Sequence, residues 1–431
     1  MSEKQNKVSG KVLFSLSLVP LIMVLGNSMV IPILPTIEST YHLSKVQTSM
    51  IITLFSVPAG LVIPFAGIIS DRIGRKKIII PGLLIYGLGG IVAGVSVLFL
   101  KQPYWLLITG RIIQGIGAAG TAPIAMALVS DLYKKDKRSQ ALGVIESSNA
   151  MGKVISPILG SALALITWYS LFFFFPILTV PAAFAIGKWV KEKEVGEPKP
   201  LKKYGQEILQ VFKKQGKWLI VAFFAGAVVL FTLFGILFFL SDILEKKYHI
   251  DGIMKGLLLA IPLLSLCGTA LWTGHFIQKH MGLMKTLIVA GLLTTGLIAI
   301  PLPFITNRWV LIGLLFVGGI GSGLVLPCLN TMITSAVGKE ERGIITSLYG
   351  SIRFLGVAAG PPVFGKLMNQ KFILFWGLTG LCLLIGILAM IFIHRPNFVK
   401  GKNGHSRTIL RPIPGHRFQR RPLKGPRKEP T

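Results

Sequence analysis

The stretch GVIESSNAMGKVISPILGS, Gly143 to Ser161, sets Glu146, Asn149 and Lys153 inside an apolar tract. Their spacing, i, i+3 and i+7, places all three on one face of a helix. A charge held at the middle of a bilayer costs about 2.5–3.5 kcal/mol, so ionisable residues there face protein, water or a partner. A carboxylate removed from water takes up a proton more readily. Three roles therefore fit Glu146: a proton carrier, a fixed counter-ion to Lys153, Arg111 or Arg353, or a direct contact for a bound molecule. Lys153 lies about 10 Å along the helix axis from Glu146, too far for contact within one helix. A second stripe, Ser148, Gly152, Ser156 and Gly160, recurs every four residues and lets another helix approach closely. Pro157 removes one helical hydrogen bond and bends the chain.

Other polar residues stand in apolar tracts. Arg111 opens RIIQGIGAAG, with Gln114 three residues on and so on the same face. Arginine keeps its proton, so Arg111 needs a polar surrounding. Asn27 precedes Pro32 and Pro35, and Arg353 lies in a tract near the C-terminus. Between the second and third tracts stands GIISDRIGRKK, Gly67 to Lys77. Gly74 permits a tight turn. Arg72, Arg75, Lys76 and Lys77 hold that turn on the cytoplasmic side, and Asp71 can pair with them or with a helix N-terminus.

These residues need helices to position them. The chain has 431 residues, of which 52% are hydrophobic and 14% charged, with mean hydropathy +0.68. That charge supply is too small to coat a soluble protein. About 20 apolar residues cross a membrane, and twelve such tracts can be marked, near 12–37, 46–69, 78–100, 104–129, 140–165, 168–189, 218–241, 253–276, 285–305, 309–336, 343–367 and 371–393. The first is too long for a signal peptide and reads as a retained helix. The organisation expected is an N-terminal six-helix bundle (1–189), a cytoplasmic linker (190–217), a C-terminal six-helix bundle (218–394) and a basic, disordered tail (395–431). In the linker, Ile208, Leu209 and Phe212 among lysines suit either an interfacial amphipathic helix or a solvated segment. Most of the 46 Lys and Arg fall on one side of this arrangement, which sets both termini in the cytoplasm. The net charge of +30 thus reflects membrane orientation and lipid headgroups, not nucleic acid. Three cysteines in apolar tracts imply no disulfide framework.

Shifting the sequence by 204 residues aligns two regions without a gap. Gly115-Ile116-Gly117 falls on Gly319-Ile320-Gly321, Pro123 on Pro327, Lys135 and Arg138 on Lys339 and Arg342, and Gly152 and Pro157 on Gly356 and Pro361. The halves are parallel repeats, a transporter plan with a cavity between them. No nucleotide-binding loop or metal cluster appears, so no cofactor and no enzyme activity is expected.

These motifs resemble the major facilitator superfamily, and specifically its twelve-helix drug:proton antiporters of the bacterial multidrug and tetracycline efflux type. GIISDRIGRKK is similar to the hallmark loop, RIIQGIGAAG to the fourth-span motif of proton-coupled members, and the fifth-span stretch to the antiporter motif. Ser156 and Ser161 depart from that motif, whereas GVAAGPP, Gly356 to Pro362, keeps Gly360 before Pro361. The resemblance implies an all-α integral membrane protein of two six-helix bundles, rocking about a midplane site. It implies proton coupling through Glu146, Arg111 and Asp71, and a conformational lock at Gly67, Asp71, Arg72, Gly74 and Arg75. A cavity would be lined by Asn27, Gln114, Glu146, Asn149, Lys153 and Arg353. Gly143, Gly152, Ser156, Pro157, Gly160, Gly356, Gly360 and Pro361 would pack the interface between halves. In the second copy of the hallmark loop Gln278 replaces Asp71, so the lock would be asymmetric. The function implied is export of small amphipathic compounds in exchange for protons, by a monomer in the bacterial cell membrane. A dedicated exporter of one metabolite or siderophore is the alternative, ahead of a nutrient importer.

Overall fold

The computed structural model describes residues 10–133, 135–192, 201–336, 342–393 and two short strands. The first span is α1 (Gly10–Ser28) followed, after a 3-10 turn at Ile31–Ile33, by α2 (Leu34–Thr40). Pro32 and Pro35 cause this break, because neither can donate to the carbonyl four residues earlier. The next two spans are α3 (Lys45–Ile73) and α4 (Lys76–Phe99). The fourth, expected as one tract, is divided into α5 (Tyr104–Ala119) and α6 (Ala122–Leu132). Pro123 leaves the Ala119 carbonyl without a donor, and Thr121 takes a non-helical conformation. The first half ends with α7 (Lys135–Ala164) and α8 (Ser170–Trp189).

The second half holds α9 (Leu201–Lys246), α10 (Gly252–Lys279), α11 (Met284–Leu297), α12 (Arg308–Ala336), α13 (Arg342–Leu367) and α14 (Lys371–Phe392). The stretch around Ile208 is neither a separate helix nor a loose segment. It continues into the seventh span, so α9 is about 69 Å long at 1.5 Å per residue. Most of the tail, and residues 193–200 of the linker, lie outside the described residues. Within the tail a short antiparallel pair joins β1 (Asn397–Lys400) to β2 (Ser406–Ile409).

Eleven helices among the described residues are long and apolar enough to cross a membrane. The fifth span, α7, is not among them, and it carries Glu146, Asn149 and Lys153. Outward faces expose Phe65, Trp105, Phe184 and Leu264, as lipid contact requires.

The sequence repeat reappears as a repeat of packing. A Cβ on Gly117 would lie 2.6 Å from the Gly82 carbonyl oxygen of α4, and one on Gly321 would lie 2.7 Å from the Gly291 carbonyl oxygen of α11. Only glycine permits either approach. The halves meet through α3 against α13 and α7 against α10. The second contact repeats the first with the halves exchanged, as a two-fold axis between parallel repeats demands. Thr53 Oγ1 of α3 donates to the Ala358 carbonyl of α13 at 2.7 Å.

Candidate functional site between the two halves

On the side where α1 begins and α14 ends, α3 ends at Gly74, whose φ of 112° lies in the region that favours glycine. The turn brings Arg75 back onto Asp71. Arg75 also reaches Asp131, at the end of α6, with Nε–Oδ2 at 3.3 Å, and donates to Ser70 Oγ at 2.8 Å. Glu192, just past α8, accepts the backbone N–H groups of Arg75 at 2.6 Å and Lys76 at 2.9 Å. A carboxylate thus sits on the positive N-terminal end of α4. Lys76 Nζ in turn donates to the Gly187 and Val190 carbonyls, at 2.6 and 2.9 Å, at the C-terminal end of α8. Gly67 faces the other half, since a Cβ there would lie 3.0 Å from Ser347 Oγ of α13. Arg72 occupies the last turn of α3. The hallmark loop therefore ties together four helix ends of the first half, those of α3, α4, α6 and α8, and its first glycine touches the second.

Arg111 is fully buried. Its Nε donates to the Ile51 carbonyl at 2.9 Å, and Nη1 donates to the Gly26 carbonyl at 2.9 Å and Gln114 Oε1 at 2.8 Å. The guanidinium carbon stands 4.6 Å from the centre of the Phe55 ring. Its charge is balanced by dipoles and a π face, and no carboxylate is among its described partners. Gln114 is likewise fully buried, and Asn27 beside Gly26 is 5% exposed with no partner for Oδ1. The cavity expected from the sequence is thus divided. Arg111, Gln114 and Asn27 belong to the interior of the first half, where neither Gln114 nor Asn27 meets open space. Of the three counter-ions open to Glu146, Arg111 makes no ion pair with it among the described residues.

The other group lies between the halves. Lys153 is within electrostatic reach of Arg353 on α13, Cys267 on α10 and Glu146 on its own helix. Glu146 is exposed, and Asn149, Lys153 and Arg353 are half-buried. Among the described residues, Glu146, Asn149 and Lys153 have no hydrogen bond and no ion pair within 4 Å. Arg353 has a long contact to Asn330 Oδ1 of α12 at 3.5 Å and lies over the Tyr349 ring at 5.3 Å, while its Nε is buried without a partner. Cys267 Sγ donates to the Ala150 carbonyl at 3.2 Å, which holds α10 against this part of α7.

The small-residue stripe does a different job from the one expected. Gly152 packs on Leu21 of α1, and a Cβ on Gly160 would overlap the Met29 carbonyl. In the second half Gly356 and Gly360 press on Ala227 and Phe231 of α9. These contacts lie within each half, not between them. Ser156 Oγ turns back to the Gly152 carbonyl at 2.5 Å. Pro157 and Ser161 do cross to the second half, where a Cβ on Gly256 of α10 would lie 2.6 Å from the Pro157 carbonyl. Pro361 is buried within α13. Gly143 has open space around it and packs against nothing.

At the far side, a charge network that sequence reasoning missed joins the halves. Lys45 of α3 pairs with Asp242 of α9, and with Glu38 of α2 at 3.4 Å. Lys246 pairs with Glu38 at 2.5 Å and Asp242 at 3.2 Å. Lys255 of α10 is 2% exposed, pairs with Glu245 at 2.6 Å, and donates to the Pro32 carbonyl of the first half. Ser241 Oγ donates to the Ile31 carbonyl at 2.8 Å. That carbonyl already accepts the Leu34 N–H in the 3-10 turn, and Ser241 adds a second bond, from the other half, where Pro35 denies it the α-helical one. The signals available were Glu38 and Asp242, acids at the outer ends of their tracts, and Lys255, near the start of another. Glu192 and Asp131 gave none, because their partners are far away in sequence.

Two six-helix halves related by a repeat, a partly exposed charged face between them and the hallmark loop at their edge define a membrane transporter. The chain belongs to the Major Facilitator Superfamily, whose family model matches residues 16–361 and 224–428. It is 44% identical to the bacillibactin exporter of Bacillus subtilis (strain 168) over 385 residues, covering 89% of this chain and 96% of that one. It is 27% identical to the multidrug efflux protein YfmO of the same organism, over 92% of this chain and 96% of the relative. The crystal structure of the human organic anion transporter MFSD10 superposes with a TM-score of 0.67 at 18% identity, covering 88% of this chain and 99% of that one. That likeness concerns the fold alone.

Proposed function

We propose that this protein exports a siderophore of the bacillibactin kind by alternating access, driven by protons. The observation that carries the reading is the pair of cations between the halves, Lys153 and Arg353, neither with an ion pair among the described residues. A site of this kind favours a cargo with negative charge and suits a dedicated metabolite exporter. The 44% identity to a bacillibactin exporter supports the same choice. The chain acts as a monomer in the bacterial cell membrane with both termini in the cytoplasm, as the distribution of Lys and Arg indicates. The far-side network then closes the external entrance, and the polar face of α7 waits for cargo from within. Glu146 is the residue we assign to proton exchange, with Asp71 and Arg75 in the lock that changes with state. Arg111 supports coupling by holding α1, α3 and α5 in register.

The second reading, broad drug efflux, is favoured by the multidrug relative. One assay separates the two. Inverted vesicles containing the protein should accumulate bacillibactin when a pH gradient is imposed, and accumulate tetracycline poorly. Equal accumulation of both compounds would favour the drug exporter. Uptake of bacillibactin that ignores the gradient would defeat proton coupling.

A further inference from the structure

We propose that Tyr349 is a positioning residue for Arg353, and that its ring, not its hydroxyl, holds the guanidinium where anionic cargo meets it. The inference rests on the transport reading above in taking Arg353 as a cargo contact. Tyr349 and Arg353 stand four residues apart on α13 and so on one face. Helical side chains lean toward the N-terminus, which carries Arg353 back over Tyr349. The guanidinium carbon lies 5.3 Å from the centre of the ring, within the range of a cation–π contact.

The ring itself has little freedom. Tyr349 is 3% exposed, and its ring centre stands 5.6 Å from that of Phe223 on α9. Its Oη lies against Gly226, where a Cβ would come within 2.6 Å. That buried oxygen has no hydrogen-bond partner among the described residues. A hydroxyl in this state costs free energy and contributes no bond, so what Tyr349 supplies is its π face.

Arg111 is the contrasting case. It too lies over a ring, Phe55 at 4.6 Å, and donates to an amide oxygen, that of Gln114, at 2.8 Å. Two backbone carbonyls also accept from it, and it is fully buried. Arg353 has the ring and an amide oxygen, that of Asn330, at 3.5 Å, but no carbonyl. It stays half-buried, and among the described residues only Asn330 accepts from its five N–H donors. The same kind of seat thus holds a saturated arginine in the first half and an unsaturated one in the second. Unused planar donors match the two oxygens of a carboxylate or an ionised catechol. Without the ring the charge remains but the guanidinium is no longer held in one orientation, and cargo must order it on binding.

The test is uptake of bacillibactin by inverted vesicles containing the full-length protein, with apparent KM and maximal rate measured separately. Tyr349→Phe should keep both and melt no lower than wild type. Tyr349→Leu should raise KM about threefold to fivefold, as loss of a cation–π contact predicts, with the maximal rate held. Arg353→Gln should raise KM further, and Tyr349→Leu added to it should change KM no more. Tyr349→Phe that behaves like Tyr349→Leu would overturn the role of the ring. A Tyr349→Leu effect that persists at full size in the Arg353→Gln background, or an unchanged KM in Arg353→Gln alone, would overturn action through Arg353. Thermal melting of the same proteins reads the contact without cargo. Tyr349→Leu should lower the melting temperature less in the Arg353→Gln background, and equal shifts in both backgrounds would overturn the contact. If wild-type vesicles fail to accumulate bacillibactin while that inequality holds, the cargo assignment falls and the positioning of Arg353 stands.

Discussion

Replacing Asp242 by asparagine should loosen the far side of the bundle, and the structure says by how much. Two ion pairs there cross between halves, Lys45 with Asp242 and Lys246 with Glu38. The other two, Lys45 with Glu38 and Lys246 with Asp242, lie within one half and survive when the halves separate. Asp242→Asn therefore removes one pair that distinguishes closed from open. Its side chain is 12% exposed and that of Lys45 is 27% exposed, so the pair sits near the upper end of the range for solvent-screened ion pairs, about 1 kcal/mol. Since 1.4 kcal/mol is tenfold, opening should become about fivefold more frequent. Adding Glu38→Gln removes the second crossing pair and leaves two lysines facing each other. The double variant should therefore shift by more than about 30-fold, the sum of two such pairs. Leu34 provides the readout. It is 1% exposed and lies one turn before Glu38 on the same face. Leu34→Cys should react with a membrane-impermeant maleimide from outside faster in the single variant and faster still in the double. Cys267, Cys328 and Cys382 are buried, which keeps the background low. Labelling rates that stay equal across all three backgrounds would refute the latch.

Three other outcomes follow from the packing. Gly160→Ala must push α7 away from the Met29 carbonyl and should destabilise the protein by about 1–3 kcal/mol, whereas Gly143→Ala, with open space around it, should hold or raise the melting temperature. Thermal melting in detergent compares the two directly. Arg111→Lys keeps the charge but loses the fork that reaches Ile51, Gly26 and Gln114 together, and should cost about 2 kcal/mol by the same melting assay. Glu192→Gln removes the negative charge from the N-terminus of α4 at a cost of about 0.5–1 kcal/mol, so trypsin should cut at Arg75–Lys77 a few-fold faster, while unchanged cleavage would mean the carboxylate does not hold the turn.

Membrane class, span number and the doubling of the chain were legible because bilayer thickness dictates the length of apolar tracts, and because the repeat preserved glycines and prolines at fixed offsets. The turn at Gly74 and the pairing of Arg75 with Asp71 were legible for a similar reason, since both depend on neighbours within one helical turn. The polar face of α7 was also visible, as the only span with Glu, Asn and Lys at helical spacing.

Partners across long separations could not be read this way. Periodicity showed that Arg111 needed a polar surrounding, but only packing decided that two carbonyls, Gln114 and the Phe55 ring supply it, in place of Glu146. Spacing showed that Gly152 and Gly160 admit a close neighbour, but not that the neighbour is α1 in the same half. Pro32 and Pro35 were visible in the first tract, but not that the Ile31 carbonyl beside them takes a bond from Ser241, 210 residues away. Sequence alone thus determined which groups could not be left in lipid. The tertiary structure determined what each of them meets, because electrostatic and hydrogen-bond partners are set by distance in space, and the fold brings together helices that the chain keeps far apart.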